Sequence, residues 1–464
     1  MQTQIENAAE RETISRRSFI AGLTAATALT ILPGGLVAGP KTKKPRRLKP
    51  SDRMNIAGIG IGGMGKNNIK ALESENIVAL CDVDEAVAGG VFKLYPKAKP
   101  YSDFRILLDK EKKIDGVVIA TPDHTHAVIA MAAMQSGKHV YCQKPLTRLV
   151  SEARALTETA RSCGVATQMG NQNRSSESLR LVCEWIWDGA IGPVSEVHAW
   201  TNRPVWPQGT PNRPQGAPVP TGLDWDLWLG PVPVREYDPA YHPFSWRGWW
   251  DFGTGALGDM ACHIIDAAFS ALKLNYPSSV EACVSEILNP SDNWAKMENR
   301  ETFPPASVVH YRFPARENMP PVEMIWYDGG LMPPHPDEME SGRPMPRNGL
   351  LFVGEKGKIL RGNPDEAPRL IPETAMQAYT PPAKTLPRID VSHEMNWVQA
   401  CKGGDPATSN FDYSGPLTET VVMGNLAIRF PNRRLEWDGA NMQVTNFPEA
   451  EEFVKAQYRE GWKL

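Results

Sequence analysis

The run from Met54 to Gly65, MNIAGIGIGGMG, constrains the fold most tightly, because a short apolar strand feeds straight into a glycine-rich turn. That arrangement brings the pyrophosphate of a dinucleotide onto a helix N-terminus. In the register Gly60-x-Gly62-x-x-Gly65, Gly60 makes the tight turn, Gly62 lets the backbone approach the phosphates, and Gly65 lets the following helix lie close to the sheet. Gly58 and Gly63 leave a second register open, and Gly63 and Met64 stand where the turn enters the helix. A second apolar run, Asn76 to Asp82, follows at the spacing of the next strand and ends in an acid suited to the adenosine ribose hydroxyls. That acid would face an added 2'-phosphate with like charge, so NAD is the expected cofactor, with NADP left open.

Beyond Asp82, helix-length segments (84–94, 104–110, 127–136, 153–163) alternate with short apolar strands at 115–120, 139–142 and 166–170. Such alternation predicts a parallel sheet covered on both faces, with ligands gathered at the carboxyl ends of the strands. The polar loops that hold Thr121, Pro122, His124 and His126, and then Gln143 and Lys144, lie at those ends. His124 and His126 have no third nearby ligand to complete a metal set, so no metal is expected and lining of the cofactor cleft is the better reading. Asp123 is available near the helix start.

A chain of 464 residues makes two or more domains, and a net charge of -3 gives no argument for a nucleic-acid partner. The seven cysteines are scattered without metal-ligand spacing; Cys81, Cys142 and Cys262 sit in apolar or small-residue runs and read as buried, inert thiols. Ser15-Arg16-Arg17 precedes a mildly apolar stretch from Ala21 to Val37 that suits an export signal better than a permanent membrane helix. It resembles a twin-arginine signal of bacterial folded-protein export. The expectation is a periplasmic or otherwise exported protein that engages the twin-arginine machinery, with retention through an uncleaved signal open. Residues 1–50 then form signal and linker, 51–175 a dinucleotide-binding domain and 176–464 a substrate and oligomerisation domain whose last helices pack back on the first.

Lys144 lies just beyond a strand and before Pro145, and the later run Gly253 to Asp266 carries Asp259 and His263 four apart, on one face of an expected helix. Together with the glycine turn, Asp82, Thr121-Pro122, His126 and Lys144-Pro145, this pair makes the chain resemble the Gfo/Idh/MocA oxidoreductases, the family of glucose-fructose oxidoreductase and inositol dehydrogenase. The leader and the run Met169 to Asn173, with Asn171 as a further cofactor contact, resemble its exported bacterial members. The resemblance implies catalytic roles for Lys144, Asp259 as a substrate-side carboxylate and His263 in proton transfer. It also implies a homodimer or homotetramer built through the second domain's sheet. One departure stands out: the usual Glu before Lys-Pro is Gln143 here, which removes a negative neighbour of the lysine.

Strand-like pieces at 196–200, 279–284, 306–313, 322–327, 349–353 and 358–360 predict an open, largely antiparallel sheet in the second domain, closed by helices at 392–401 and 417–428. The fold class is thus an α/β Rossmann domain plus an α+β open-sheet domain. Between the strands, the segment from Pro204 to Trp250 is dense in proline, tryptophan and arginine. Its rings suit the apolar faces of a carbohydrate or polyol, with Arg174, His242, Arg247 and Trp249 as substrate contacts. A second proline-rich section, 333–346, is expected near the cleft or at an interface. The leading expectation is an NAD(P)-dependent oxidoreductase with a tightly held cofactor, acting on a sugar, cyclic polyol or glycoside. Its rivals are an NAD-dependent glycoside hydrolase or lyase that oxidises the sugar transiently, and a cofactor-binding sugar receptor or scaffold without turnover.

Overall fold

The computed structural model describes residues 43–363, 366–455 and 457–464, so the twin-arginine segment lies outside the described residues. The glycine run opens the first sheet. Strands β1 (Asn55–Ile59), β2 (Asn76–Cys81), β3 (Lys99–Tyr101), β4 (Gly116–Ile119), β5 (His139–Cys142) and β6 (Thr167–Met169) are all parallel, in the order β3-β2-β1-β4-β5-β6. The order reverses between β1 and β4, the switch point at which a doubly wound sheet opens a crevice for a dinucleotide. Helices α1 (Gly63–Ala71), α2 (Glu85–Leu94), α3 (Phe104–Lys110), α4 (Asp123–Gln135) and α5 (Val150–Cys163) supply the connections. Every residue of β4 and β5 is buried, as befits strands covered on both faces.

Three local differences from the sequence pattern have simple causes. The short edge strand β3 contains Pro100 and shows no apolar alternation, which an edge tolerates. Helix α4 starts at Asp123 instead of Ala127, because Pro122 holds the preceding backbone extended and the polar residues 123–126 become its first turn. Helix α5 begins at Val150, where Glu152 reaches back to the amides of Arg148 and Leu149.

After α6 (Glu177–Trp187), a second sheet is built from β7 (Val194–Trp200), β8 (Ser279–Val284), β9 (Ser307–Phe313), β10 (Val322–Tyr327), β11 (Gly349–Gly354), β12 (Gly357–Arg361), β13 (Arg369–Ile371), β14 (Leu435–Asp438) and β15 (Gln443–Val444). Its order is β13-β12-β11-β7-β10-β9-β8-β14-β15, antiparallel except for the pair β7 and β10. Within this part of the chain come helices α7 (Trp225–Leu229), α8 (Gly255–Ile264), α9 (Asp266–Ala271), α10 (His393–Cys401) and α11 (Phe411–Arg429). Leu417, Val421 and Leu426 of α11 share one core with Val280, Val309 and Tyr311 of the sheet. Gly424 is required at that contact, since a Cβ there would stand 1.9 Å from the Tyr311 hydroxyl. Helix α10 returns to the first sheet, where Trp397 is fully buried among Met54, Ile56 and Tyr141.

The outer face of the second sheet carries half-buried His198, His310, Arg312, Glu323 and Tyr327. Met339 of the proline-rich section 333–346 packs there, against Trp200, Leu351 and Ile371, which puts that section on the sheet's outer face and away from the cleft. The aromatic segment before α8 forms its own small core, in which Trp228, Tyr241, Trp249 and Phe252 surround one another and Val83 of the first domain packs against them.

Candidate active site

A cleft of about 450 Å³ runs from the glycine turn to Asp259, within the size range of small-molecule and cofactor sites. Gly60 has φ +74, and a Cβ there would lie 2.6 Å from the Thr121 amide. At Gly65 a Cβ would meet the Gly60 carbonyl oxygen at 1.9 Å, so this glycine sets how closely α1 approaches the sheet; it packs beneath the cleft and does not line it. A Cβ on Gly62 would strike Val87, whereas one on Gly63 meets only open space. Among the described residues no side chain caps α1, whose start at Gly62, Gly63 and Met64 faces the cleft. Uncapped amides at a glycine turn fit a pyrophosphate.

Asp82 lines the same end, but its carboxylate also braces the turn: one oxygen accepts from the Ile61 and Gly62 amides at 2.8 and 3.3 Å, the other from the Asp84 amide at 3.1 Å. Beside it, Asp84 caps α2 and holds the imidazole Nε2 of His242 at 2.7 Å. The backbone reinforces this meeting, with Glu85 N donating to Gly222 O and Asp224 N to Val83 O. His242 thus stands at the adenosine end of the cleft, a correction to its expected place beside the substrate.

At the other end, the Lys144 ammonium donates to both the carbonyl and the carboxylate of Asp259, each at 2.8 Å. Arg247 stands 3.7 Å from the same carboxylate, with its guanidinium over the Trp246 ring. Burial alone would raise the Asp259 carboxyl, but Lys144 and Arg247 outweigh it and hold it below its usual range. His263 follows one turn later on α8, behind the residues that line the cleft, with Nδ1 buried and unpartnered among the described residues. Burial, and then the neighbouring Lys144 charge, push its imidazole down to about 3, so it is neutral near pH 7.

Gln143 packs against Gly170, where a Cβ would lie 2.6 Å from the amide nitrogen, and donates to Asn68 at 3.0 Å. Asn68 in turn donates to buried Glu394 at 2.8 Å. Gln143 thus reaches a carboxylate, that of Glu394 on α10, through Asn68.

Thr121, Pro122 and His126 line the cleft. The His126 ring nitrogens sit 2.9 and 2.8 Å from the carbonyl oxygens of Pro145 and Thr121, which locks the two strand-end loops together. His124 does not reach the cleft. Its ring lies between Trp228 and Phe252, each nitrogen facing a carbonyl oxygen, and burial lowers it to about 4. Asn171 is likewise a buried bracket, bonded to Asp266 and Ser409. Arg174 turns into a different hollow, over the Tyr413 ring and 3.5 Å from Asp266. Trp249 is buried in the aromatic core, donating to Ala240 O. These four leave the site because helix phase and packing, invisible in a loop-like sequence, turn them inward. Trp228, Phe244, Trp246 and Trp462 line the cleft instead. Only the aromatic density of 225–250 signalled the first three as a group, and nothing in the sequence signalled Trp462.

Among the described residues no group of three His, Cys, Asp or Glu side chains could hold a metal ion. All seven cysteines are free thiols, and Cys81, Cys142 and Cys262 are buried as expected. Desolvation pushes the Cys262 thiol up to about 12.

A parallel 3-2-1-4-5-6 sheet with a glycine turn at its switch point, and a cleft in which Lys144 of this first domain pairs with Asp259 of a following open-sheet domain, defines a two-domain nicotinamide-dinucleotide protein. Residues 54–171 match the NAD-binding Rossmann fold of the Gfo/Idh/MocA oxidoreductase family, and residues 190–292 match that family's C-terminal alpha/beta domain. Levoglucosan dehydrogenase of Pseudarthrobacter phenanthrenivorans is 29% identical over 229 residues, 46% of this chain and 50% of that protein. Inositol 2-dehydrogenase 2 of Saccharopolyspora erythraea is 32% identical over 165 residues, 34% of this chain and 48% of that protein. The matched region spans about half the length of these curated relatives. The WlbA dehydrogenase from Bordetella pertussis, solved with NADH and UDP-GlcNAcA, has the same fold at a TM-score of 0.57 and 17% identity, over 83% of this chain and 99% of that one.

Proposed function

We propose that the chain is an NAD-dependent oxidoreductase that moves a hydride between a firmly held cofactor and a sugar, cyclic polyol or glycoside. The observation that carries this reading is the Lys144–Asp259 pair in the cleft that begins at the glycine turn. The uncapped N-terminus of α1 would hold the pyrophosphate of NAD, whose nicotinamide would supply the hydride acceptor. Lys144 donates to the substrate hydroxyl oxygen and stabilises the charge that grows there as the proton leaves. Asp259 stays ionised and keeps the ammonium aimed across the cleft. His263, one turn behind Asp259 and outside the cleft lining, is neutral near pH 7 and takes the proton only by way of the cleft-lining groups in front of it. Arg247 and Trp246 offer a cation and a flat face to a polyhydroxylated ring.

Two carboxylates at the adenosine end, Asp82 and Asp84, favour NAD over NADP. Firm retention is supported by the Asp84–His242 contact and the backbone bonds beside it, which tie the aromatic segment across that end. The substrate class is supported by relatives named for levoglucosan and inositol. We further propose export of the folded holoprotein through the arginine-pair leader, and a homodimer or homotetramer through the outer face of the second sheet.

The test is to purify the protein without added nucleotide, release bound small molecules by denaturation and identify them by mass spectrometry, then follow absorbance at about 340 nm while adding sugars and polyols. Stoichiometric NAD(H) and a sugar-dependent absorbance change are expected, with a keto product. Glycosidic cleavage without net oxidation would transfer the same residues to a hydrolase or lyase. A protein that is empty and binds neither NAD nor NADP overturns the reading.

A further inference from the structure

The last residues of the chain return to the cleft. Residues 458–462 are fastened at three points: the Tyr458 hydroxyl donates to Glu152 at 2.8 Å, Arg459 donates to Gly230 O at 2.6 Å, and the same guanidinium pairs with Asp226 at 2.6 Å. These bonds tie the segment to α5 and to both ends of α7. The indole that it carries, Trp462, lines the cleft together with Phe104 and Leu227. Its ring centroid is 6.1 Å from that of Phe104, tilted by 39°, and the Arg105 guanidinium lies 4.7 Å from the ring centre.

Strand order says which half of the cofactor this wall would meet. The pyrophosphate turn sits at the end of β1; β4 and β5, on one side, carry Thr121 and Lys144; β2 and β3, on the other, end in Asp82 and in Ser102, Asp103 and Phe104. A dinucleotide laid across the switch point with its reactive ring near Lys144 therefore has its adenine on the β2–β3 side, where Phe104 and Trp462 stand. Half-buried Trp462, with the Arg105 guanidinium over its ring, lines the cleft and brings an indole to where a flat base would lie.

We infer that Trp462, delivered by the C-terminal tail, forms part of the adenine-binding wall of the NAD site. The inference rests on the NAD-binding reading and adds a residue from the opposite end of the chain to that site. Base–aromatic contacts of this kind change affinity by roughly tenfold when the ring is removed.

The experiment is titration calorimetry of nucleotide-free protein with NAD, ADP-ribose and nicotinamide mononucleotide, on wild type, Trp462→Ala and Trp462→Phe. Trp462→Ala is expected to weaken NAD and ADP-ribose by the same factor, roughly tenfold, and to leave nicotinamide mononucleotide unchanged. Trp462→Phe, which keeps a ring and the tail's fastenings, is expected to recover most of the loss. Wild-type affinity of Trp462→Ala for NAD overturns the inference, and so does a loss confined to NAD or one shared by nicotinamide mononucleotide. If wild type binds ADP-ribose and NAD while the variants match it, only Trp462 is dismissed; if wild type binds none of the three, the cofactor reading falls as well.

Discussion

The two ends of the cleft are each bridged by a carboxylate and a nitrogen base, and the polarity is opposite. At the reactive end the first domain supplies the cation, Lys144, and the later chain the acid, Asp259; at the adenosine end the first domain supplies Asp84 and the later chain His242. A lysine ammonium pairs with a carboxylate through charge, whereas an imidazole can hold one by a hydrogen bond alone. The difference teaches a division of labour: a fixed charge where an oxygen must be stabilised, a hydrogen-bonded latch where a ligand must be enclosed.

Removing the fixed charge should have the largest effect. Lys144→Ala is expected to lower kcat by about 10²–10⁴ while changing Kd for NAD by less than about threefold, as read by steady-state kinetics and calorimetry. An equal loss in both would mean that Lys144 holds cofactor and would erase the division. Next come the glycines that seat the pyrophosphate. Gly65→Ala forces a Cβ to within 1.9 Å of the Gly60 carbonyl oxygen and should cost about 3 kcal/mol in chemical denaturation together with NAD binding. Gly63→Ala meets open space and should cost only about 1 kcal/mol, for its positive φ.

At the latch, His242→Ala should raise Kd for NAD about fivefold and move kcat at saturating NAD far less. A fall in kcat alone would return His242 to the substrate end. The smallest effect concerns His263, whose folded pKa of about 3 lies below its ordinary value of 6.5. The unfolded chain then binds the proton more readily. The neutral ring's contribution to stability is complete above about pH 6.5 and is lost as pH falls towards about 3. Imidazole NMR should show His263 neutral at pH 5, and His263→Asn should narrow the stability gap to wild type as the pH drops through that window. A midpoint near 6.5 would show an open, solvated ring instead.

Legibility in the sequence followed regular backbone. Gly60, Gly62, Gly63, Asp82, Thr121 and Lys144 were readable because strand, turn and helix fix where consecutive residues point, and all six line the cleft. Asp259 was readable because helical spacing tied it to His263. His124 and Asn171 misled, since a polar residue at a strand end can turn inward to satisfy buried carbonyls or side chains as readily as outward to a ligand. The wall formed by residues 225–250 and Trp462 was not legible in detail. Its side chains are placed by aromatic packing and by bonds between residues hundreds of positions apart, such as Arg459 with Asp226, and no local period encodes such contacts.

The tail has a consequence for handling the protein. Any change that tugs on residues 458–462 pulls on fastenings that hold α7 and on a wall of the cleft at once, so a variant of this segment is a different reagent from wild type in every nucleotide assay.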